Sequence, residues 1–396
     1  MQSWLDSLIA RGAFGPNPSR ELVYAIVIAV ACAVVLFVVA VPFASVVTWV
    51  ERRVWARIQS RIGPNRVGPN GFLQWLADGI KHVCKEDVIP EEADARLFKL
   101  APYLVVLAFI LPWAVMPFSS VLILADLNIG ILYMTAVPAL TVVGVLMAGW
   151  ASNNKWSLIG GIRSAAQIIS YEIPAGLSIF PVVLITGTLS MQGIIRAQGW
   201  SPDRWFIFVN PFCFAAAIIL FVSGLAENNR TPFDLPEAES ELVAGFATEY
   251  SSIRYLFFFM AEWGNMFIAS AIVVALFLGG WQFPQVSRDP VVMNALQFIT
   301  FNLKVLVLVF VSMWIRGTLP RVRIDQMMSL CWKYFVPISF IDLIGTAAWV
   351  AIWPEGNPIA AWIMFAGGIA IAALFIWRVA HFAKRSRMEL YFHPTI

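Results

Sequence analysis

Four ionisable residues interrupt long apolar stretches of this 396-residue chain: Glu172, Glu262, Lys304 and Asp342. Each costs at least about 2.5 to 3.5 kcal/mol if it faces lipid, so each should face protein, water or a counter-ion. The chemistry open to a carboxyl so placed is proton transfer, because a low-dielectric setting brings its titration toward neutrality. A second concentration follows the fifth apolar run, where Glu227, Asp234, Glu237, Glu239, Glu241 and Glu249 place six carboxylates within 23 residues, with Arg230 the near cation. Glu237 and Glu241 share a face if this stretch is helical, and Pro236 suits its first turn. Crowded carboxylates repel one another and trade protons. Read functionally, the loop feeds protons to Glu262 and Glu172. The competing readings are a solvated acidic loop and glutamates fixed by pairing with Lys304 or a basic loop residue.

Other chemistries are excluded. The cysteines Cys32, Cys84, Cys213 and Cys331 stand alone, without the spacing that holds a metal, a cluster or a c-type haem. The three histidines, His82, His381 and His393, are too far apart to form a local ligand motif, and no dinucleotide fingerprint or phosphate loop is present. No metal site is expected, and any redox centre must belong to a partner.

The elements that position these groups are membrane helices. Hydrophobic residues make up 60% of the chain and charged ones 13%, and mean hydropathy is +0.76; a soluble protein carries about 25% charged residues. Seventeen Trp, 30 Phe and 23 Pro agree. Nine apolar runs reach the length of about 20 residues that a span needs: 22–50, 99–118, 130–151, 165–188, 206–226, 253–280, 291–315, 334–353 and 358–380. The alternation of a membrane barrel is missing, so an all-α integral membrane protein is expected, a single membrane domain over 1–396. Met1 to Pro18 lacks the pattern of a cleaved signal peptide.

Of the 27 Lys and Arg, 21 follow odd-numbered spans, five follow even-numbered ones or precede the first, and Lys304 lies within a span. Basic residues stay on the cytoplasmic side, which predicts the N-terminus outside and the C-terminus inside. Spans four, six and eight then begin on the cytoplasmic side, placing Glu172, Glu262 and Asp342 in that half, with Lys304 near the midplane. On this reading buried charge stops at the midplane, and a proton has no evident way out through this chain alone. The first span is too long for the bilayer and must tilt, bend at Pro42 or run past it. After it, residues 71–85 are amphipathic: Phe72, Leu73, Trp75, Leu76, Ile80, Val83 and Cys84 share one arc, opposite Gln74, Asp78, Lys81, His82 and Lys85. A helix lying in the cytoplasmic interface is expected; a helix packed on another part of the protein is the alternative. The turn-rich stretch from Gly63 to Pro69 reads as a stiff docking loop or a plain connection.

Four motifs carry a resemblance. Glu51-Arg52-Arg53 leads to Arg61-Ile62-Gly63-Pro64-Asn65-Arg66-Val67-Gly68-Pro69, Leu76-Ala77-Asp78-Gly79-Ile80-Lys81 and Lys85-Glu86-Asp87; Arg163-Ser164-Ala165-Ala166-Gln167 leads to Ser170-Tyr171-Glu172. Glu227-Asn228-Asn229-Arg230-Thr231-Pro232-Phe233-Asp234-Leu235-Pro236-Glu237-Ala238-Glu239-Ser240-Glu241-Leu242 continues to Glu249-Tyr250-Ser251, and Trp314-Ile315-Arg316-Gly317-Thr318-Leu319-Pro320-Arg321-Val322-Arg323-Ile324-Asp325-Gln326 completes the set. Together they cover the major cytoplasmic loops in order, and the chain closely resembles the family of quinone-site membrane subunits of respiratory complex I, the NADH:quinone oxidoreductase.

The resemblance implies a cofactor-free subunit of a proton-pumping, quinone-reducing complex in the bacterial inner membrane. Quinone is the substrate, and FMN and iron-sulfur clusters sit in partners. By likeness, Arg52, Arg61 and Asp78, with Phe72, Trp75 and Leu76 of the interfacial helix, line or frame the quinone chamber. Glu172, Glu227, Asp234, Glu237, Glu239, Glu241, Glu249 and Glu262 match an acidic funnel leading to antiporter-like neighbours. Arg66, Arg316, Arg321 and Arg323 lie on loops that dock peripheral subunits, one of them holding the terminal cluster. Spans two to six resemble half an antiporter repeat, and the ninth span departs from members with eight. Two other functions stay open: a membrane subunit of an energy-converting hydrogenase, and a free-standing proton or cation transporter.

Overall fold

The computed structural model describes residues 41–236, 239–286 and 289–353, with 30, 359, 362–367, 370, 374 and 377. Among the described residues every regular element is helical. The principal helices are α1 (Val41–Ile58), α2 (Gln74–Cys84), α3 (Ala95–Ile110), α4 (Gly130–Ala136), α5 (Leu140–Ala151), α6 (Lys155–Thr186), α7 (Met191–Ala197), α8 (Pro211–Glu227), α9 (Ser252–Phe277), α10 (Pro290–Thr318), α11 (Ile324–Ser329) and α12 (Val336–Ile352).

Six helical runs are long and apolar enough to cross a membrane: Ala95–Val115, Gly130–Ala151, Lys155–Thr186, Ser252–Phe277, Pro290–Thr318 and Ile324–Ile352; Pro211–Glu227 is a shorter apolar helix. These seven fall in order on expected spans two to eight. Most of the first expected span, most of the ninth, both termini and Glu237 lie outside the described residues.

Boundaries differ from the apolar runs where a capping side chain acts. Asp94 accepts from the backbone N–H groups of Arg96 and Leu97, Asn154 from that of Trp156 and Asp289 from that of Val291. Asn210 accepts from Phe212 ahead of Pro211 at the first helical position. Each satisfies a backbone donor that the first turn leaves unpaired. Because Asn154 supplies this cap, α6 begins at Lys155, ten residues before the expected start at 165. Where it is described, the first expected span continues as helix α1 to Ile58, beyond the end of the apolar run at residue 50.

Packing is tight where glycine permits it. A methyl on Gly264 of α9 would collide with the Phe109 ring of α3, so these helices approach at backbone distance. Beside them Trp113 stacks on Phe267 at 5.0 Å, and Phe98 on Tyr250 at 4.0 Å. The helix α6 packs against α5, α8 and α12. Pro174 within it cannot donate to the Ser170 carbonyl one turn back, and the Cys331 thiol donates to that oxygen instead at 3.0 Å. Span three is interrupted between α4 and α5 around Pro138.

Candidate functional site

The surface end of the site is the junction of α1 and α2. Arg52 Nη1 donates to Asp78 Oδ2 at 2.7 Å, and Gln74 Nε2 to Asp78 Oδ1 at 3.1 Å. Two of the three polar residues expected at a chamber are therefore in contact, while Arg61 lies exposed on the following loop. That loop is held by Arg53 Nη2 donating to the Asn70 carbonyl at 2.8 Å. A Cβ on Gly71, at φ +71°, would collide with the Pro64 backbone. The apolar arc of α2 is unburied: Phe72, Leu73, Leu76, Ile80 and Val83 are exposed. Trp75 is half-buried, and the Phe72 ring meets Trp49 edge-on at 5.3 Å.

One residue before Arg52, Glu51 points inward to a buried cluster. Its Oε1 accepts from Arg230 Nη1 at 3.2 Å and from Arg316 Nη1 at 2.9 Å. Arg230 Nε lies 2.7 Å from Glu262 Oε1. Arg230 also stacks over Trp263 at 3.8 Å and Arg316 over Trp55 at 4.3 Å. Arg321 Nη2 donates to Asp234 Oδ2 at 3.0 Å. Three carboxylates, Glu51, Asp234 and Glu262, thus meet three guanidiniums, and each buried charge has an opposite one, without which burial would be prohibitive. Burial pushes the Asp234 carboxyl above its ordinary range, against the opposing pull of Arg321, Arg316 and Arg230. The loop is fixed by Gln167 Nε2, which donates to the carbonyls of Ala226 and Phe233 at 2.7 and 2.8 Å.

The acidic loop differs from the pool of mutually repelling carboxylates that its local sequence suggests. Arg163 takes Glu241 at 2.8 Å, Asn154 donates to Glu249 Oε1 at 2.6 Å, and Arg321 takes Asp234. All three partners come from distant sequence, so repulsion is relieved carboxylate by carboxylate. Glu239 begins a short helix, Glu239–Leu242. Of the arginines expected on docking loops, Arg66 and Arg323 are exposed, whereas Arg316 and Arg321 are engaged within the chain.

Glu227 and Glu172 are brought together in a third place. A cavity of about 270 Å³ between α4, α5, α6, α8 and α9 is lined by both, with Asn228, Asn265 and Thr141 among otherwise mainly apolar residues. Asn265 Oδ1 and Thr141 Oγ1 are buried without a hydrogen-bond partner among the described residues. A cavity of this size has room for several waters at its polar wall, which would satisfy those atoms and join the two carboxyls. Among the described residues no three His, Cys, Asp or Glu side chains gather as a metal-ligand set.

Lys304 belongs elsewhere. Its Nζ donates to the carbonyls of Leu278 and Gly280 at 2.7 and 3.1 Å and lies over the Trp205 ring at 4.4 Å. It closes the C-terminal end of α9, where a cation meets unpaired carbonyls favourably. Of the competing pairings, that with Lys304 is not formed among the described residues, whereas Glu262, expected to be free of a fixed ion pair, is held by Arg230 of the acidic loop. Residues that sequence reasoning missed are Glu51, Gln167 and Asn265. The available signal for Glu51 was a carboxylate at the very end of an apolar run, ahead of two arginines.

A family profile described as NADH dehydrogenase matches residues 30–347. The NADH-quinone oxidoreductase subunit designated H from Anaeromyxobacter dehalogenans is 50% identical over 364 residues, which cover 86% of this chain and 88% of that protein. The protein of the same name from Chlorobaculum tepidum is 46% identical over 309 residues, 76% of this chain and 86% of its own length. That from Dehalococcoides mccartyi is 46% identical over 342 residues, 86% and 91%.

Proposed function

This chain belongs to the NADH dehydrogenase family of NADH-quinone oxidoreductase membrane subunits, and we propose that it forms the membrane end of a quinone chamber and a proton relay leading away from it. As a multi-pass membrane subunit of the NADH-quinone oxidoreductase enzyme complex it contributes no redox cofactor; electrons reach quinone from FMN and iron-sulfur clusters in partner subunits. Nine spans in one membrane domain, the N-terminus outside and the C-terminus inside, would seat it in a bacterial inner membrane, with Arg66 and Arg323 facing the peripheral subunits.

The observation that carries the reading is a line of ionisable side chains running inward from the surface. Arg52 and Asp78 stand at the α1–α2 junction, next to the exposed arc of α2 where a quinone tail would slide in from lipid. Glu51, adjacent in sequence, joins Arg230 and Glu262, and Glu227 and Glu172 share the cavity beyond. Charge created or consumed when quinone is reduced at one end biases proton occupancy along such a line, because the groups interact through a low dielectric. Asp234, Glu237, Glu239, Glu241 and Glu249 form its cytoplasmic approach.

The test is substitution of Glu172, a member without an ion pair among the described residues. Glu172→Gln preserves volume and hydrogen bonding but cannot ionise. The expected outcome is a complex assembled in normal amount whose quinone reduction and proton translocation fall together, with Glu172→Asp retaining part of both. Normal translocation in the glutamine variant would remove the relay.

A further inference from the structure

Helix α12 is polar inside and apolar outside. Its buried residues are Ser339, Asp342 and Thr346, while Ile338, Phe340, Ile341, Ile344 and Ile352 are exposed. Spacings of three and four put the three polar residues on one face, and α12 packs against α6 and α8. Asp342 is 3% exposed and Thr346 fully buried. Among the described residues neither Asp342 Oδ2 nor Thr346 Oγ1 has a hydrogen-bond partner, and Asp342 joins no ion pair there. A carboxyl buried without a cation must hold a proton or bind water. The segment before it, Leu330–Phe335, is a π-helix, a distortion that recurs at functional positions.

Helix register places Asp342 far from the other carboxyls. Cys331 meets the Ser170 carbonyl of α6, and three residues earlier on α6 Gln167 meets Ala226 at the C-terminal end of α8. Further along the chain, on α12, a Cβ on Gly345 would collide with the ring of Phe212, the neighbour of Cys213 at the N-terminal end of α8. Therefore α12 runs antiparallel to α8, and Asp342 sits at the end of α8 opposite Glu227. Fourteen residues separate Cys213 from Glu227, about 21 Å at the helical rise of 1.5 Å per residue. The sequence groups Asp342 with Glu172 and Glu262 by depth, whereas packing sets it at the end of α8 opposite Glu227. The cavity of Glu172 and Glu227 extends to Leu220, about two turns short of Cys213.

We infer that Asp342, with Thr346 beside it, is a second proton-carrying site of this chain, receiving protons by way of the Glu172–Glu227 cavity and releasing them toward the opposite face. In each transfer an O–H bond forms on the Asp342 carboxyl as one breaks in a donor water, and the reverse follows on release; no electrons move. The inference rests on the relay reading for its proton source but extends the path into the other half of the membrane.

The experiment uses the assembled complex in proteoliposomes, with Asp342→Asn, Asp342→Glu and Thr346→Val. Proton translocation per quinone reduced is measured, together with the infrared carbonyl band of protonated carboxyls that changes on turnover. Asp342→Asn is expected to lower translocation several-fold and to abolish one such band; Asp342→Glu should restore most translocation and shift the band, and Thr346→Val should shift it in the otherwise native site. Wild-type translocation with no band lost in Asp342→Asn overturns the proposal. Should that variant fail to assemble, Asp342→Glu and Thr346→Val decide: an unshifted band in both overturns it equally. Glu172→Gln is run alongside. Loss there with none at Asp342 removes only the second site, whereas loss at Asp342 with none at Glu172 keeps a proton site but removes the relay as its source.

Discussion

Arg230 and Glu262 form a buried ion pair, with Arg230 Nε 2.7 Å from Glu262 Oε1 and the guanidinium stacked on Trp263, the next residue along α9. The pair separates two glutamates that sequence treats alike. Glu262 is held by a cation, whereas Glu172 faces a cavity. Arg230→Ala would leave Glu51 with only Arg316 and Glu262 with no ion-pair partner, and removal of one member of a buried pair costs about 3 to 5 kcal/mol. Assembled complex in native gels should therefore fall sharply in Arg230→Ala and less in Glu262→Gln, and stay normal in Glu172→Gln. Equal assembly in all three would mean that the pair is not structural.

Quinone access should depend on α2. Ala77 lies between Leu76 and Asp78 on a helix whose apolar arc is exposed. Ala77→Arg puts a charge where a hydrocarbon tail would pass. Reduction of long-tailed quinones should slow more than that of short-tailed analogues, measured side by side in the same membranes; equal slowing of both would point to misassembly.

Docking of α2 on α9 should weaken in acid. His82 stacks on Tyr255 at 5.9 Å. Burial, then Lys81, lowers its pKa below 6.5; Lys85 adds to the lowering, while Asp78 opposes it. A histidine with a depressed folded pKa favours the docked state above its unfolded value, and that contribution is lost as pH falls below about 6.5. Protection factors of the α2 amides, which take out the slower intrinsic exchange in acid, should fall as pH drops from 7 to 5 on the basis of that shift, and His82→Phe should remove the dependence while keeping the ring contact.

Topology has a direct check. Reporter fusions after Asn128, Asn154 and Pro394 should read outside, inside and inside. A C-terminal reporter found outside would reduce or increase the expected nine spans by one.

What the sequence by itself determined was mostly local. Apolar runs located seven described helical runs in order, six of them long and apolar enough to cross a membrane, because the requirement that backbone groups in lipid bond within their own segment acts residue by residue along one helix. The amphipathic α2 was legible for the same reason, since its two faces are written at helical period. Helix starts were less so: α6 begins ten residues early because a single Asn154 side chain caps it, a signal hydropathy does not contain. Pairing of charges was illegible. Glu51 meets Arg230 and Arg316 from 179 and 265 positions away, and Arg163 reaches Glu241 across 78. Those contacts are fixed by the depth at which neighbouring helices settle against one another. The same register carries Asp342 to the far end of α8 from Glu227. Depth within a span depends on packing with other spans, so only the tertiary structure could decide which buried charges share a cavity, which are neutralised and which stand alone.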